Sequence, residues 1–414
     1  MPLDPPRNPP AFAVGRFKTR IIILTALILL ALLGTLPFWF SDLDLRLAAL
    51  FYHPGADDPW FESREPLWLF LYQIAPLLIG LLTLGSLAVI AAGSVWPAAQ
   101  RRRRAAIFLL AVVLIGPGLM VNILLKDHMG RPRPHQTVEL GGTQVYLPPL
   151  ALGEAGKGKS FPCGHSSAGF VFGAFFLIWR HRRPRLAVLS LVASVALGLL
   201  LGISRMAAGD HFVSDVIWSA VIVGGVALLL APMILRDDVA APLTASSPRP
   251  ARRHPVALML TYGLTAVLLV FGMLLATPMS ENSTQLILSS SHPPRTLRLI
   301  ADDAQITLIW HDQPEPAAKI FLKARGFGLP GNRVLDHQAV EDGALTYRIV
   351  HQGLFSEKDT TLLVIASPSA WDRIDVETAA GDIRVDPLPS AAPTLVLKTG
   401  NGQIRRDMPA LTAH

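Results

Sequence analysis

The sequence predicts an all-α polytopic membrane bundle followed by a C-terminal all-β extracytoplasmic domain. Hydrophobic residues make up 51% of the 414 residues and charged residues only 16%, which is too apolar for an ordinary soluble protein. Apolar runs of about 20 residues, the length that crosses a bilayer core, recur as far as Ala276. From about Leu286 onward, polar and apolar residues alternate as they do in strands.

Seven apolar segments are candidate membrane spans. The first is expected to stay as an anchor, because it is long and no small-residue cleavage site follows it. The fourth is too short as an apolar run, so we extend it back to Pro162 through polar residues that require an explanation. The seven segments are 21–40, 67–95, 105–125, 162–179, 186–203, 212–235 and 256–276.

These segments predict five regions along the chain. A cytoplasmic tail at 1–20 precedes a six-helix membrane domain at 21–235. A linker rich in proline, serine and alanine follows at 236–254, then a seventh transmembrane helix at 255–276. Residues 277–414 form the β-rich domain.

The basic residues predict the orientation in the membrane. They cluster in the N-terminal tail and at 100–104, 180–185 and 249–254, all on one side if the spans alternate. Because basic loops stay in the cytoplasm, the loops 126–161 and 204–211 face outward, as does the β-rich domain. We expect a bacterial inner membrane protein facing the periplasm. This topology accounts for the net charge of +7 without nucleic-acid binding.

Three charged clusters fall on the predicted outer side. They are KDHMGRPRP at 126–134, SFPCGHSSAG at 160–169 and SRMAAGDHFVSD at 204–215. A charge at membrane depth costs about 2.5 to 3.5 kcal/mol on insertion scales, so such residues indicate a functional site. Because each cluster contributes at least one cation, their convergence would form an anion site.

The third cluster contains a possible nucleophile or base. If its helix begins near Gly209, His211 and Asp215 share one face. Asp215 would then accept the Nδ1 proton of His211 and leave Nε2 free to act.

The second cluster has the features of a phosphate-binding helix N-terminus. With Ser160 or Phe161 as its cap and Pro162 in its first turn, the helix would leave the amides of residues 163–165 facing outward unpaired. Gly164 would allow close approach of the backbone, and His165 would stand ready to protonate a leaving oxygen.

Together the clusters resemble the tripartite signature of the type-2 phosphatidic acid phosphatase and vanadium haloperoxidase superfamily. The resemblance covers roughly residues 60–235 and implies a six-helix bundle, a phosphohistidine intermediate, and no metal or other cofactor. The matching residues are Lys126, Arg133 and Pro134 in the first cluster, Pro162, Cys163, Gly164 and His165 in the second, and Ser204, Arg205, His211 and Asp215 in the third.

The resemblance also implies a role for each site residue. His211 would be the nucleophile, Asp215 its orienting partner and His165 the general acid. The phosphate ligands would be Lys126, Arg133, Arg205, Cys163 and Gly164. Cys163 departs from the usual serine, and a thiol is the poorer donor, so we expect a contact weakened by about 1 kcal/mol with the chemistry intact.

A phosphorylated membrane lipid is the expected substrate, because a site that opens to lipid meets lipids at high concentration. Three stretches look most like lipid A phosphatase relatives: KDHMGRPRP at 126–134, the acidic loop DLDLRLAALFYHPG at 42–55 and SFPCGHSS at 160–167. Isoprenoid pyrophosphates such as undecaprenyl pyrophosphate, phosphatidate and phosphatidylglycerol phosphate are the other lipids considered. Two further functions stay open: a lipid phosphotransferase, and a non-catalytic envelope sensor that binds phospholipid headgroups.

Arg131 and several acids and histidines of the outer side have alternative roles. Arg131 would be either a fourth phosphate ligand or a headgroup contact. A metal site is the alternative for several acids and histidines, but the neighbouring cations would repel a divalent ion. That alternative set comprises Asp127, His128, His135, Asp210, His211 and Asp215.

The β-rich domain contains one internal repeat. VETAAGDIR and LKTGNGQIR align with Thr378 matching Thr399 and Ile383 matching Ile404, a spacing of 21 residues. This period predicts stacked β coils or a repeated hairpin. The domain faintly resembles β-solenoid-like envelope domains, and we expect it to bind an envelope partner or attach to a surface.

Overall fold

The structure is a computed structural model in which the chain divides into two compact units. The first contains residues 1–51, 62–134 and 147–266, and the second contains 52–61, 135–146 and 267–414. The predicted linker and part of the predicted seventh span lie outside the described residues. The described residues are 11–54, 59–60, 65–94, 96–155, 157–235, 263–265, 267, 270–272, 274–275, 277–288, 294–311, 316–389 and 393–406.

The first unit is helical. A π-helical segment, Leu114–Leu125, joins α6 to α7, and it contains Pro117, which has no amide hydrogen for the usual helical bond. A 3₁₀ turn, Val171–Gly173, joins α8 to α9. The helices are α1 Ala11–Leu33, α2 Leu36–Trp39, α3 Leu43–Ala49, α4 Pro66–Ala92, α5 Pro97–Gln100, α6 Arg103–Val113, α7 Lys126–His128, α8 Gly164–Phe170, α9 Ala174–Trp179, α10 Pro184–Ala207 and α11 Val213–Ile234.

Five helical stretches are long and apolar enough to cross a membrane, and they coincide with the first, second, third, fifth and sixth predicted spans. They are Ile21–Trp39, Pro66–Ala92, Arg103–His128, Pro184–Ala207 and Val213–Ile234. Shorter apolar helices cover the fourth prediction at Gly164–Trp179 and part of the seventh at Gly263–Gly272. The long helices carry exposed apolar side chains such as Leu189 and Leu229, as lipid-facing helices do.

Small residues allow α8 and α10 to pack closely. A Cβ atom on Gly169 would lie 2.5 Å from the Cα of Gly198. Ser194 Oγ also donates a hydrogen bond to the Gly169 carbonyl at 2.9 Å. Such approach through small residues is typical of helix pairs in membranes. Because α8 contains residues 164–169 of the second charged cluster and α10 ends in the third, this contact fixes the two clusters against each other.

The strands of the second unit form two sheets, which confirms the all-β prediction for the described part of this region. The sheet orders are β1-β4-β7-β3-β9-β11 and β10-β8-β2-β6-β5. The strands are β1 Thr277–Ile287, β2 Thr296–Asp303, β3 Gln305–Trp310, β4 Ala318–Gly328, β5 Arg333–Glu341, β6 Ala344–Gln352, β7 Phe355–Ala366, β8 Arg373–Ala380, β9 Ile383–Val385, β10 Thr394–Asn401 and β11 Ile404–Arg406.

The internal repeat corresponds to stacked coils rather than to a repeated hairpin. β10 pairs in parallel with β8 at Thr399 and Thr378, and β11 pairs in parallel with β9. The β2–β3 pair stacks in the same way on the other side of β8–β9. A Cβ on Gly381 would lie 2.2 Å from the Ala304 carbonyl oxygen, and one on Gly402 would lie 2.0 Å from that of Gly381. The repeated glycine is therefore needed because the turns stack.

Substitution of Gly169 tests the contact between α8 and α10. We expect Gly169→Ala to destabilise the purified protein by about 1 to 3 kcal/mol, because the new methyl group meets the backbone of α10. Gly225→Ala in α11 is the matched control, since nothing lies within 4 Å of a Cβ at that position. The midpoint of thermal unfolding in detergent measures the effect, and equal midpoints for the two variants would contradict this packing.

Candidate active site

His211 lies in the short connection between α10 and α11, and its side chain is buried. Its Nδ1 atom is 2.5 Å from the carbonyl oxygen of Ser160. Since a carbonyl oxygen can only accept, this partner assigns the proton to Nδ1 and leaves Nε2 unprotonated in the neutral ring. The predicted availability of Nε2 therefore has a structural basis, although the main partner of Nδ1 is a backbone carbonyl.

Asp215 supports His211 less directly than predicted. Its Oδ2 atom is 3.7 Å from His211 Nδ1. The same oxygen accepts hydrogen bonds from Ser160 Oγ at 2.6 Å and from the Phe212 amide at 2.8 Å. The helix begins at Val213 and not near Gly209, so Asp215 caps its first turn. Asp215 thus fixes the end of the connection at Phe212 and also the Ser160 segment that holds the imidazole.

The second cluster enters its helix later than predicted. The helix begins at Gly164, with Cys163 as its N-cap, so Pro162 lies outside the first turn. The Cys163 amide donates to the Asp215 carbonyl at 3.3 Å and therefore does not face outward unpaired as expected. A Cβ on Gly164 would lie 2.8 Å from Asn122 Oδ1, which explains the need for glycine here.

Asp210 joins two of the predicted phosphate ligands. Arg133 Nη1 is 3.4 Å from Asp210 Oδ1, and Arg205 Nη2 forms an ion pair with the other carboxylate oxygen. All three side chains are buried. The sequence suggested Asp210 only as a metal ligand, whereas the structure gives it the task of holding two guanidinium groups from separate clusters together.

The ring of Tyr72, which was not expected at the site from the sequence, lies between Arg205 and His165. The Arg205 guanidinium lies 4.4 Å from the centroid of the Tyr72 ring. On the same tyrosine, the His165 ring stacks at a centroid distance of 5.2 Å. Tyr72 comes from α4, and a polar aromatic inside an apolar span was the signal that could have identified it. Tyr72 therefore positions the predicted general acid beside a predicted phosphate ligand.

Lys126 occupies the turn that ends the long third span. It is only 8% exposed, so it does not extend into water as a lysine at a helix end commonly does. It lies four residues after Asn122, the side chain against which Gly164 packs. The first and second clusters thus approach each other along this helix.

Arg131 contacts protein groups that favour a structural role over the two roles expected for it. Its guanidinium is fully buried and pairs with Asp44 at 2.8 Å and with Asp215. Ser214 Oγ and the Leu147 carbonyl each accept a further hydrogen bond at 2.8 Å. Asp44 is also 0% exposed. The two residues form a buried network behind the site.

The acids of the alternative metal set have cationic partners. Asp127 Oδ1 lies 3.2 Å from Lys159 Nζ, Asp210 pairs with Arg133 and Arg205, and Asp215 pairs with Arg131. These pairs occupy the carboxylates in ion pairs and favour an anion site over a cation site.

Cys163 and His211 stabilise each other's charged forms. Burial lowers the pKa of the His211 imidazole, but the Cys163 thiolate and the Asp215 carboxylate outweigh burial and raise this pKa to about 9. Cysteine at this position therefore favours protonated His211, which must lose a proton before it can attack.

Removal of Asp44 tests the buried network. We expect Asp44→Ala to destabilise the protein by about 3 to 5 kcal/mol, because Arg131 would keep its charge in a buried place with one carboxylate fewer. Asp42→Ala is the matched control, since the Asp42 side chain is 54% exposed and pairs only across the surface with Arg46. Thermal unfolding in detergent measures both variants. A similar small effect in both would contradict the role given to the network.

Known proteins resemble the segment that carries this site. Residues 105–238 match the protein-family model described as the PAP2 superfamily. A lipid A 4'-phosphatase of Francisella tularensis subsp. novicida is 34% identical over 198 residues, which covers 44% of this chain and 82% of that protein. A lipid A 4'-phosphatase of Rhizobium leguminosarum is 37% identical over 124 residues, or 29% of this chain and 52% of that protein.

Among solved structures, a transmembrane PAP2 type phosphatidylglycerolphosphate phosphatase from Bacillus subtilis is 17% identical, with 52% of this chain and 94% of that chain covered and a TM-score of 0.32. A putative cell adhesion protein from Clostridium sporogenes is 12% identical, with 30% and 59% covered and a TM-score of 0.22. TM-scores this low support no conclusion. The family is instead shown by the sequence relationship to the Francisella protein, together with the match to the family model. The chain belongs to the PAP2 superfamily.

Proposed function

We propose that this membrane lipid phosphatase hydrolyses a phosphate monoester of lipid A through a phosphohistidine intermediate. The observation that carries the proposal is the meeting of Arg133 and Arg205 on Asp210, in the same unit as the imidazole of His211. One carboxylate among three buried cations, with Lys126 as the third, leaves an excess of positive charge for a phosphate dianion.

Each step of the mechanism has a residue assigned to it. Lys126, Arg133 and Arg205 hold the phosphate oxygens, and the Gly164 backbone contributes at the start of α8. His211 Nε2 attacks phosphorus in line, and the bond to the lipid oxygen breaks. His165 gives its proton to that oxygen. Water then attacks the phosphohistidine, which releases inorganic phosphate and restores the imidazole.

Lipid A is the preferred substrate on the basis of relatives from several bacteria. Besides the two 4'-phosphatases, a lipid A 1-phosphatase of Rhizobium etli is 34% identical over 128 residues, which covers 31% of this chain and 50% of that protein. The relatives act on both ends of lipid A, so their names support the lipid and leave the position of the phosphate to experiment. Undecaprenyl pyrophosphate and phosphatidate are the alternative substrates.

We also propose the membrane arrangement expected from the sequence. Six membrane-crossing helices within residues 21–235 and a seventh at 255–276, joined by the linker 236–254, would place residues 277–414 in the periplasm. The distribution of basic residues supports this arrangement, since it puts 100–104, 180–185 and 249–254 in the cytoplasm of a bacterial inner membrane. The site would then face outward.

Replacement of His211 tests the proposed nucleophile. We expect His211→Ala to lower inorganic phosphate release by a factor of at least about 10³, because no other group would form the covalent intermediate. His128→Ala is the matched control, since His128 is exposed and bonds only locally to the Leu124 carbonyl. Vanadate should inhibit the wild type and a chelator should not. Undiminished release by His211→Ala would refute the assignment.

The substrate panel for this assay contains lipid A with phosphate at either end, undecaprenyl pyrophosphate and phosphatidate. Phosphate lost from the lipid should equal inorganic phosphate released. A deficit of released phosphate that appears as a phosphorylated acceptor lipid would identify a phosphotransferase.

The Cys163–His211 pair predicts the pH dependence of the reaction. Protonated His211 cannot attack, so kcat/KM of the wild type should fall as the pH drops below the His211 pKa of about 9. In Cys163→Ser the hydroxyl stays neutral, so the His211 pKa should decrease. The acidic limb of the kcat/KM profile should then move to lower pH. Cys163→Ala should move the limb in the same direction without restoring a hydroxyl. Superimposable pH profiles of kcat/KM for all three proteins would contradict the coupling.

A further inference from the structure

Residues 135–146 belong to the β unit, although they continue directly from Arg133 and Pro134 in the chain. Asp382, in the turn between β8 and β9, binds this segment with one carboxylate oxygen. Thr143 Oγ1 donates to Asp382 Oδ2, and Gln144 Nε2 donates to the same oxygen at 3.2 Å. The acid that precedes β9 thus holds the side chains of two adjacent residues.

A second contact lies beside the first. Arg384 Nη1 donates to the Gly141 carbonyl. Gly141 has a positive φ of 88°, and a Cβ there would lie 2.6 Å from Tyr52 Oη. Only glycine fits this position, so Arg384 can approach the backbone of the segment.

The segment is closed by its own hydrogen bonds. The amides of Thr143 and Gln144 both donate to the Gln136 carbonyl, at 2.9 and 2.8 Å. The Gly142 amide donates to the Thr137 carbonyl at 2.7 Å. Because the end of the segment is tied back to its beginning, a contact that holds Thr143 also restrains Gln136. Gln136 lies three residues after Arg133.

The repeat shows that the two holding residues are particular to one coil. Asp382 corresponds to Gln403 in the next coil, and Arg384 pairs with Arg405 across the parallel ladder. Asp382 is 9% exposed, and its other oxygen accepts the Gln403 amide at 2.8 Å. A carboxylate this buried requires hydrogen-bond donors. The segment 135–146 supplies two of them, Thr143 and Gln144.

We propose that Asp382 and Arg384 are positioning residues that hold the segment 135–146 and thereby fix the backbone position of Arg133. This inference rests on the proposed role of Arg133 as a phosphate ligand. It gives the two residues a role in the proposed reaction: through the segment they restrain the chain that continues from Arg133, and so affect how well the phosphoryl group is bound. Neither residue touches substrate, and both act through the segment.

The experiment compares matched positions of the repeat in the full-length protein. We expect Asp382→Ala, Thr143→Val and Arg384→Ala each to lower kcat/KM by about fivefold, as loss of a charge-assisted hydrogen bond would. Arg405→Ala, at the equivalent position one coil further on, should match the wild type. The double variant Asp382→Ala with Thr143→Val should lose little more than either single variant, because one bond connects the two residues.

Two readouts separate positioning from a general loss of structure. Amide hydrogen exchange should accelerate in peptides from 135–146 in the Asp382→Ala variant, while peptides from 296–308 exchange as in the wild type. The fall in kcat/KM should be equal for lipid A and for a soluble aryl phosphate, since Arg133 would contact the phosphoryl group that both share.

Three outcomes would overturn the proposal. They are wild-type kcat/KM in the Asp382 and Thr143 variants, fully additive losses in the double variant, or a loss confined to the lipid substrate. Failure of the wild type itself to release phosphate would instead count against the proposed function, so the two failures are distinguishable.

Discussion

The buried ion network of Asp44, Arg131 and Asp215 is the constraint on which the site depends. A dehydrated guanidinium is costly unless carboxylates surround it, and Arg131 has two, together with Ser214 Oγ. The partners come from α3, from the segment after α7 and from α11. Formation of the network therefore requires these three parts of the chain to meet, and it fixes Asp215, which in turn holds the Ser160 segment against His211.

The same constraint explains the front of the site. Arg133 and Arg205 repel each other, and Asp210 relieves that repulsion by forming an ion pair with each of them. Tyr72 covers the face of the Arg205 guanidinium and stacks on His165. The cations are thus held in place by the protein itself, so the proposed binding of a phosphoryl group would require little rearrangement of charge.

Much of this protein follows from local patterns in the sequence. A bilayer demands long apolar helices, so five spans could be located from hydropathy alone. Period-two alternation from about Leu286 onward indicated the strands, and the spacing of Thr378 and Thr399 predicted either stacked coils or a repeated hairpin, of which the structure has the stacked coils. Two expected helix starts were wrong. Gly209 lies in a turn with a φ of 71°, and α11 begins only at Val213. Pro162 precedes the N-cap residue Cys163, and α8 begins at Gly164. Helix ends depend on caps, and here Asp215, in the first turn of α11, accepts the amide of the N-cap residue Phe212.

The sequence alone therefore determined five helical stretches long and apolar enough to cross a membrane, the β-rich end and the three clusters with His165, His211 and Arg205, because hydropathy, alternation and motif spacing are local properties. Only the tertiary structure decided that Asp44 and Arg131 are buried partners, that Asp210 joins two arginines, and that 135–146 belongs with the strands. A buried charge is paired by whichever segments packing brings beside it. These segments can be far apart in the chain: Thr143 and Asp382 are separated by 239 positions.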